Sequence, residues 1–171
     1  MNIMGSIFKK ENVKFFWTKF FNLLENLKNS FESDGREWRT SFIYSNLVKN
    51  GIELIESLLI ENGYLEYNEN ENYNITDNTI DYRTGITYKE YKNKKTLIIF
   101  KPATFLTFVG SWSTMDFVLP EDKKNILDNV FNNKNNIDGK HIKLILGWKI
   151  MMEGITIENI KDIHIMDVHY N

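Results

Sequence analysis

Between residues 40 and 168 two patterns alternate along this chain: short β-branched and aromatic runs, and longer stretches with apolar side chains at helical spacing. "TSFIYSN" (40–46), "YLEY" (64–67), "FLTFVGS" (105–111), "HIKLIL" (141–146) and "DIHIMDV" (162–168) read as strands. "GIELIESLLIENG" (51–63) puts Ile52, Ile55, Leu58 and Leu59 on one helical face and ends on Gly63, placed as a C-cap. "PEDKKNILDNVFN" (120–132) opens with proline and acids and carries an Ile126, Leu127, Val130, Phe131 stripe. A strand that feeds a helix before the next strand cannot fold back as a hairpin. The order therefore predicts an α/β fold: a mostly parallel sheet with helices on both faces. The first strand, helix and second strand, joined by brief links, are expected to form a paired βαβ unit.

Two segments stand outside this alternation. Residues 15–31, "FFWTKFFNLLENLKNSF", place Phe16, Phe20, Leu23, Leu24, Leu27 and Phe31 on one wide stripe, the pattern of a core-packing helix. Residues 66–81 hold five acidic and no basic side chains, whereas 83–101 hold six basic and one acidic. Within that second stretch "GITYKEY" and "KTLIIFK" flank "KNK" and are expected to form an inserted antiparallel hairpin. Its basic side is suited to phosphates or, equally in kind, to bulk water. The expected organisation is an N-terminal helix (1–39) packing on one lobe (40–171), with an insertion at about 66–101.

With 171 residues, 42% of them hydrophobic, one domain with a true core is expected. A net charge of −2 gives no overall polycation to hold nucleic acid by charge alone. Having no cysteine, the chain has no disulfide framework and no Cys-ligated zinc site. No apolar run approaches the ~18–20 residues of a membrane span. "MNIMGSIFKKENVKFF" lacks the apolar core and cleavage site of a secretory signal, so none is expected.

Open α/β sheets bind ligands beyond the carboxyl ends of their strands. That rule selects Ser45-Asn46, Gly110-Ser111, Gly147-Trp148-Lys149 and His169-Tyr170-Asn171, small or polar clusters that directly follow apolar strands. Small residues let backbone approach a ligand, and free N–H groups suit phosphate. Several catalytic templates are excluded: no G-x-x-x-x-G-K-[ST], no G-x-G-x-x-G and no G-x-S-x-G occurs. His164 and His169 lie five apart on a strand, so they point to opposite faces, and His141 is distant; no metal cage is expected. Glu153 beside Gly154 is a candidate general base, or simply a turn.

In this order the clusters resemble the C-terminal RecA-like lobe of superfamily 2 helicases, in the branch found in large DNA viruses (poxvirus-type early transcription factor and nucleoside triphosphatase helicases). "KFFNLLENLKNSF" resembles the helix before that lobe, and "SFIYSNLVKNGIELIESLLIENGY" its motif IV strand and helix. "FLTFVGSWS" resembles the next strand, and "FNNKNNIDGKHIKLILG" the approach to motif V. "KIMMEGITIENIKDIHIMDVHYN" is similar to motif V and its exit strand. The resemblance spans nearly the whole chain. It implies that Ser45, Asn46, Gly110, Ser111 and Lys149 face a nucleic-acid backbone, and that Glu153 and Gly154 lie toward a nucleotide cleft. Ser45 as a helix cap, Gly110 as a turn and Glu153-Gly154 as a return loop are the plainer readings of the same residues. Trp148 stands where the family commonly has a small hydroxyl residue, so the motif V contact is expected to be altered.

The family's motif VI, with its arginine finger, is expected after Asn171, and the phosphate loop and magnesium-binding acids on a separate N-terminal lobe. An arginine finger is typically worth ~10³–10⁵ in rate. The expectation is therefore a helicase or translocase second lobe, truncated before motif VI, catalytically inert alone, with ATP and Mg engaged only in the complete two-lobe enzyme. Its implied partners are nucleic acid and that phosphate-loop lobe, with no membrane. Its implied location is intracellular: a viral factory or virion, or host cytoplasm. A catalytically dead nucleic-acid-binding or virion structural module derived from a helicase is the alternative, and an unrelated nucleotide-binding α/β domain a third.

Overall fold

The computed structural model describes residues 7–9, 12–14, 17–31, 37–94, 99–108, 120–148 and 155–167. Its frame is a five-stranded, wholly parallel sheet. The strands are β1 (Ser41–Tyr44), β2 (Leu65–Glu66), β3 (Thr104–Phe108), β4 (Leu144–Gly147) and β5 (Asp162–Ile165), in the spatial order β2-β3-β4-β1-β5. The helices are α1 (Thr18–Lys28), α2 (Glu53–Glu61), α3 (Tyr88–Asn93) and α4 (Glu121–Ile126).

The order follows from burial. β3 and β4 are buried at every position, as only central strands of a doubly covered sheet can be. β2, two residues long and half exposed, takes one edge, and β5, alternately half-buried and exposed, takes the other. The expected βαβ pairing is corrected here. β1 and β2 are parallel, but β3 and β4 lie between them, because the more apolar strands claim the interior.

Both faces carry a core. On one, Ile52, Ile55, Leu58 and Leu59, all fully buried, pack with Leu23, Leu24 and Leu27 of α1 onto Ile43, Phe105, Leu144 and Leu146. Each such side chain contributes about 1.5–3 kcal/mol when fully withdrawn from water. On the other, Leu127 and Phe131 meet Leu106, Phe108, Ile142 and Ile145, with Ile155, Ile157 and Ile160 against them. A π-type turn, Val48–Ile52, leads into α2, and a second, Leu127–Phe131, extends α4. Gly63 follows α2 at φ +89°, where an added Cβ would lie 2.1 Å from the Asn78 carbonyl oxygen; this is the left-handed C-terminal position that glycine fills.

The expected hairpin is also corrected. Residues 88–93 are the helix α3, fixed by a capping box in which Thr87 Oγ accepts from the Glu90 N–H and the Glu90 carboxylate accepts from the Thr87 N–H. Local capping outweighs the weak alternation of "ITYKEY". Among the described residues the antiparallel pairing is two isolated bridges, Ile80 to Thr87 and Asp81 to Pro102. Asp81 organises this insertion, its buried carboxylate accepting from the N–H groups of Arg83, Thr84 and Lys101 at 2.9–3.1 Å.

Candidate functional site at the strand-end rim

Tyr44, Gly147 and Ile165 are in register across β1, β4 and β5, and Phe108 of β3 is in register with Gly147. Four strands thus finish at one rim. The connection from β1 leaves across the α1/α2 face, through α2, while that from β4 crosses the opposite face, through Ile155, Ile157 and Ile160. β1 and β4 are neighbours, so their connections part and open a crevice between the strand ends, the topological switch point where such sheets bind ligands.

Asp167, just beyond β5, holds this rim together. Its Oδ2 accepts from the Ser45 hydroxyl and its Oδ1 from the Asn46 N–H, both at 2.6 Å. These are short, charge-assisted bonds. Ser45 Oγ in turn accepts from the Leu47 N–H at 3.2 Å, which turns the chain into the π-type turn. Trp148 Nε1 donates to the Asn46 carbonyl oxygen at 2.8 Å, tying the β4 exit to the β1 exit. The Tyr44 hydroxyl is pushed up, by burial first and then by the Asp167 charge.

The structure therefore places Ser45 and Asn46 together, in different roles. Ser45 is fully buried and its hydroxyl is committed to Asp167; Asn46 is half-buried, its N–H held by Asp167 and its Oδ1 accepting from the Tyr44 hydroxyl at 3.5 Å. Gly110, Ser111, Lys149, Glu153 and Gly154 lie outside the described residues, as does His169-Tyr170-Asn171. β3, which leads to Gly110-Ser111, and β4, which leads to Lys149, both end at this rim. Sequence reasoning missed Asp167; an acid directly after the last strand was its one visible signal. Among the described residues no three His, Cys, Asp or Glu side chains gather as around a metal ion, and no helix is long and apolar enough to cross a membrane.

Beside the rim, between it and the N-terminal end of α1, lies a cavity of about 410 Å³ lined by Trp17, Phe20, Asn50, Gly51, Met166 and Asp167, among others. This falls within the usual range for ligand pockets. Gly51 is required by closeness: a Cβ there would sit 2.0 Å from Ser45 Oγ. Gly51→Ala is accordingly expected to push Ser45 off Asp167 and cost about 1–3 kcal/mol. Ser45→Ala in the same chain should recover part of that loss, seen as non-additivity in denaturant unfolding.

An all-parallel α/β sheet with a crevice at its switch point is the architecture of a RecA-like fold. Similar sequences narrow the class. Over 99% of its length the chain is 42% identical to a protein of Acanthamoeba polyphaga mimivirus described as an ATP-dependent RNA helicase. It is 28% identical, over 94% of its length, to a protein of Invertebrate iridescent virus 3 described as a helicase. It is 27% identical, over 84%, to a helicase of a killer plasmid of Kluyveromyces lactis. The chain spans 15%, 13% and 18% of these relatives. No family model matches the sequence and no solved structure matches the chain. The homologues are helicases, two of them from large DNA viruses, and this chain is homologous to a segment of each.

Proposed function

We propose that this chain is the second RecA-like lobe of an NTP-dependent helicase or translocase. In this reading it grips the nucleic-acid backbone and closes the nucleotide cleft of a separate, phosphate-loop-bearing lobe. The observation that carries the reading is the in-register rim at the switch point, in a chain aligned almost end to end with a segment of helicases. Backbone amides and small polar groups hold phosphates without reading bases, which suits a machine that moves along a strand. Asn46 is a contact in this reading, and Gly110, Ser111 and Lys149 are further backbone contacts. Ser45 works from beneath, its bond to Asp167 fixing the turn that presents Asn46.

Glu153 and Gly154 are this chain's contribution to the nucleotide side. ATP and its Mg supply the driving reaction when bound to the complete enzyme, and the other lobe holds them. The setting we infer is inside the infected cell: a viral factory, the virion or host cytoplasm.

Two measurements on the 171-residue chain test this. Filter binding at low salt should show weak, sequence-tolerant attachment to single strands that falls as salt rises; absence of retention would reject the backbone-gripping role. Phosphate release from ATP should stay at background with or without nucleic acid, and stimulated hydrolysis by the pure chain would reject its assignment as a lobe inert by itself.

A further inference from the structure

We propose that the cavity beside the rim receives an unpaired nucleobase bearing an exocyclic amine. The inference rests on the reading above, that a strand passes along the rim, and adds where one of its bases goes. Three features of the lining support it.

The first is an aromatic wall. Trp17, 37% exposed, is braced by Phe8 stacked at 5.4 Å and by Phe20 edge-on at 6.0 Å. A ring held this way offers apolar surface to a flat ligand at little entropic cost, and Met166 adds polarisable surface to the same cavity.

The second is charge. Asp167 contributes a carboxylate to the lining. It repels a phosphate and attracts N–H donors. Its two oxygens each accept one bond from the protein, whereas an ionised carboxylate has about four acceptor positions. Acceptor capacity thus remains for a ligand. Adenine, cytosine and guanine each carry an exocyclic amine able to use it; uracil and thymine offer only a ring N3–H set between two carbonyl oxygens, which are brought against the carboxylate.

The third is the position of a cation. Lys19, exposed on α1, lines the same cavity. A strand whose base enters the cavity leaves its phosphate outside, within reach of that ammonium.

The test uses the intact chain and fluorescently labelled twelve-residue homopolymers of A, C and U, followed by anisotropy at low salt. Oligo(A) and oligo(C) are expected to bind at least about fivefold more tightly than oligo(U), the lower end of what one good amine contact discriminates. Trp17→Ala should weaken all three. Asp167→Asn should bring oligo(U) level with the others while keeping one oxygen for the Asn46 N–H. The comparison among wild-type affinities needs no variant to fold. Equal wild-type affinities for the three strands overturn the base pocket and leave the rim reading standing; failure of every strand to bind overturns both.

Discussion

Replacing Asn136 with alanine is expected to remove about 3–5 kcal/mol of stability, a large share of the roughly 5–15 kcal/mol that holds an ordinary domain folded. Asn136 is fully buried and uses its amide completely. Its Nδ2 donates to the carbonyls of Phe131 at 3.3 Å and Ile142 at 3.0 Å, and its Oδ1 accepts from the N–H groups of His141 at 2.8 Å and Ile142 at 2.9 Å. Four bonds from one side chain fasten the end of the α4 extension to the entry of β4. Alanine leaves the Ile142 N–H and carbonyl and the His141 N–H without that partner, while the Phe131 carbonyl keeps the Asn159 amide at 2.6 Å; each buried group left unpaired costs about 1–3 kcal/mol. Asn136→Asp keeps the acceptor and loses the donor, setting a carboxylate against two carbonyls. Its carboxyl should stay protonated well above the ordinary range, so the deficit relative to wild type should shrink as pH falls. Urea unfolding at pH 7 and pH 5 measures both effects; an alanine variant within 1 kcal/mol of wild type (about the worth of a single hydrogen bond) would contradict the geometry.

A second large effect concerns Lys143, fully buried just before β4. Its Nζ donates to the carbonyls of Ser30 at 2.9 Å and Arg39 at 3.0 Å and lies 4.7 Å from the centre of the Phe31 ring. Burial drives its pKa down to about 7 despite Asp138, Asp81 and Asp162, whose charges act the other way. A neutral amine still has two hydrogens for the two carbonyls, so deprotonation forfeits neither bond.

The sign follows from linkage. The unfolded lysine binds its proton up to about pH 10.4 and the folded one releases it near 7, so the unfolded state holds more protons in between. Stability should therefore rise from pH 7 to about pH 9.5, with a slope approaching 1.4 kcal/mol per pH unit at most. The buried hydroxyl of Tyr64, pushed far up by desolvation, reverses the trend only above pH 10. His164, shifted down chiefly by burial, acts below its ordinary 6.5. Lys143→Met should flatten the profile between pH 7 and 9.5, as read from unfolding midpoints across that range. A wild-type profile already flat there would show that the amine is not enclosed as described.

Much of the architecture could be read before the structure, for identifiable reasons. Ile52, Ile55, Leu58 and Leu59 share a face because helical spacing permits no other arrangement, and all four are fully buried. The runs at 104–108 and 144–147 hold no charged residue and are buried at every position, the mark of strands covered on both sides. The hairpin expected at 85–101 failed because "ITYKEY" satisfies a two-residue period weakly and a helix start strongly. The T-x-x-E spacing of Thr87 and Glu90 was the signal that distinguishes them. At the rim, Ser45 and Asn46 were legible as residues that follow a strand, but their partner was not. Asp167 is 121 residues from Asn46, and no local pattern marks an acid that will meet a distant hydroxyl.

Outside the 85–101 segment, the sequence by itself determined the kind of the main elements and the parallel sense of the sheet, since period and connection length are local properties fixed by side-chain geometry and chain reach. Only the tertiary structure decided which strands became neighbours, that Lys143 and Asn136 would be enclosed, and that Ser45, Asn46, Trp148 and Asp167 would close one rim. Those outcomes depend on which apolar surfaces cover which, and on polar groups far apart in the chain finding partners once water is excluded.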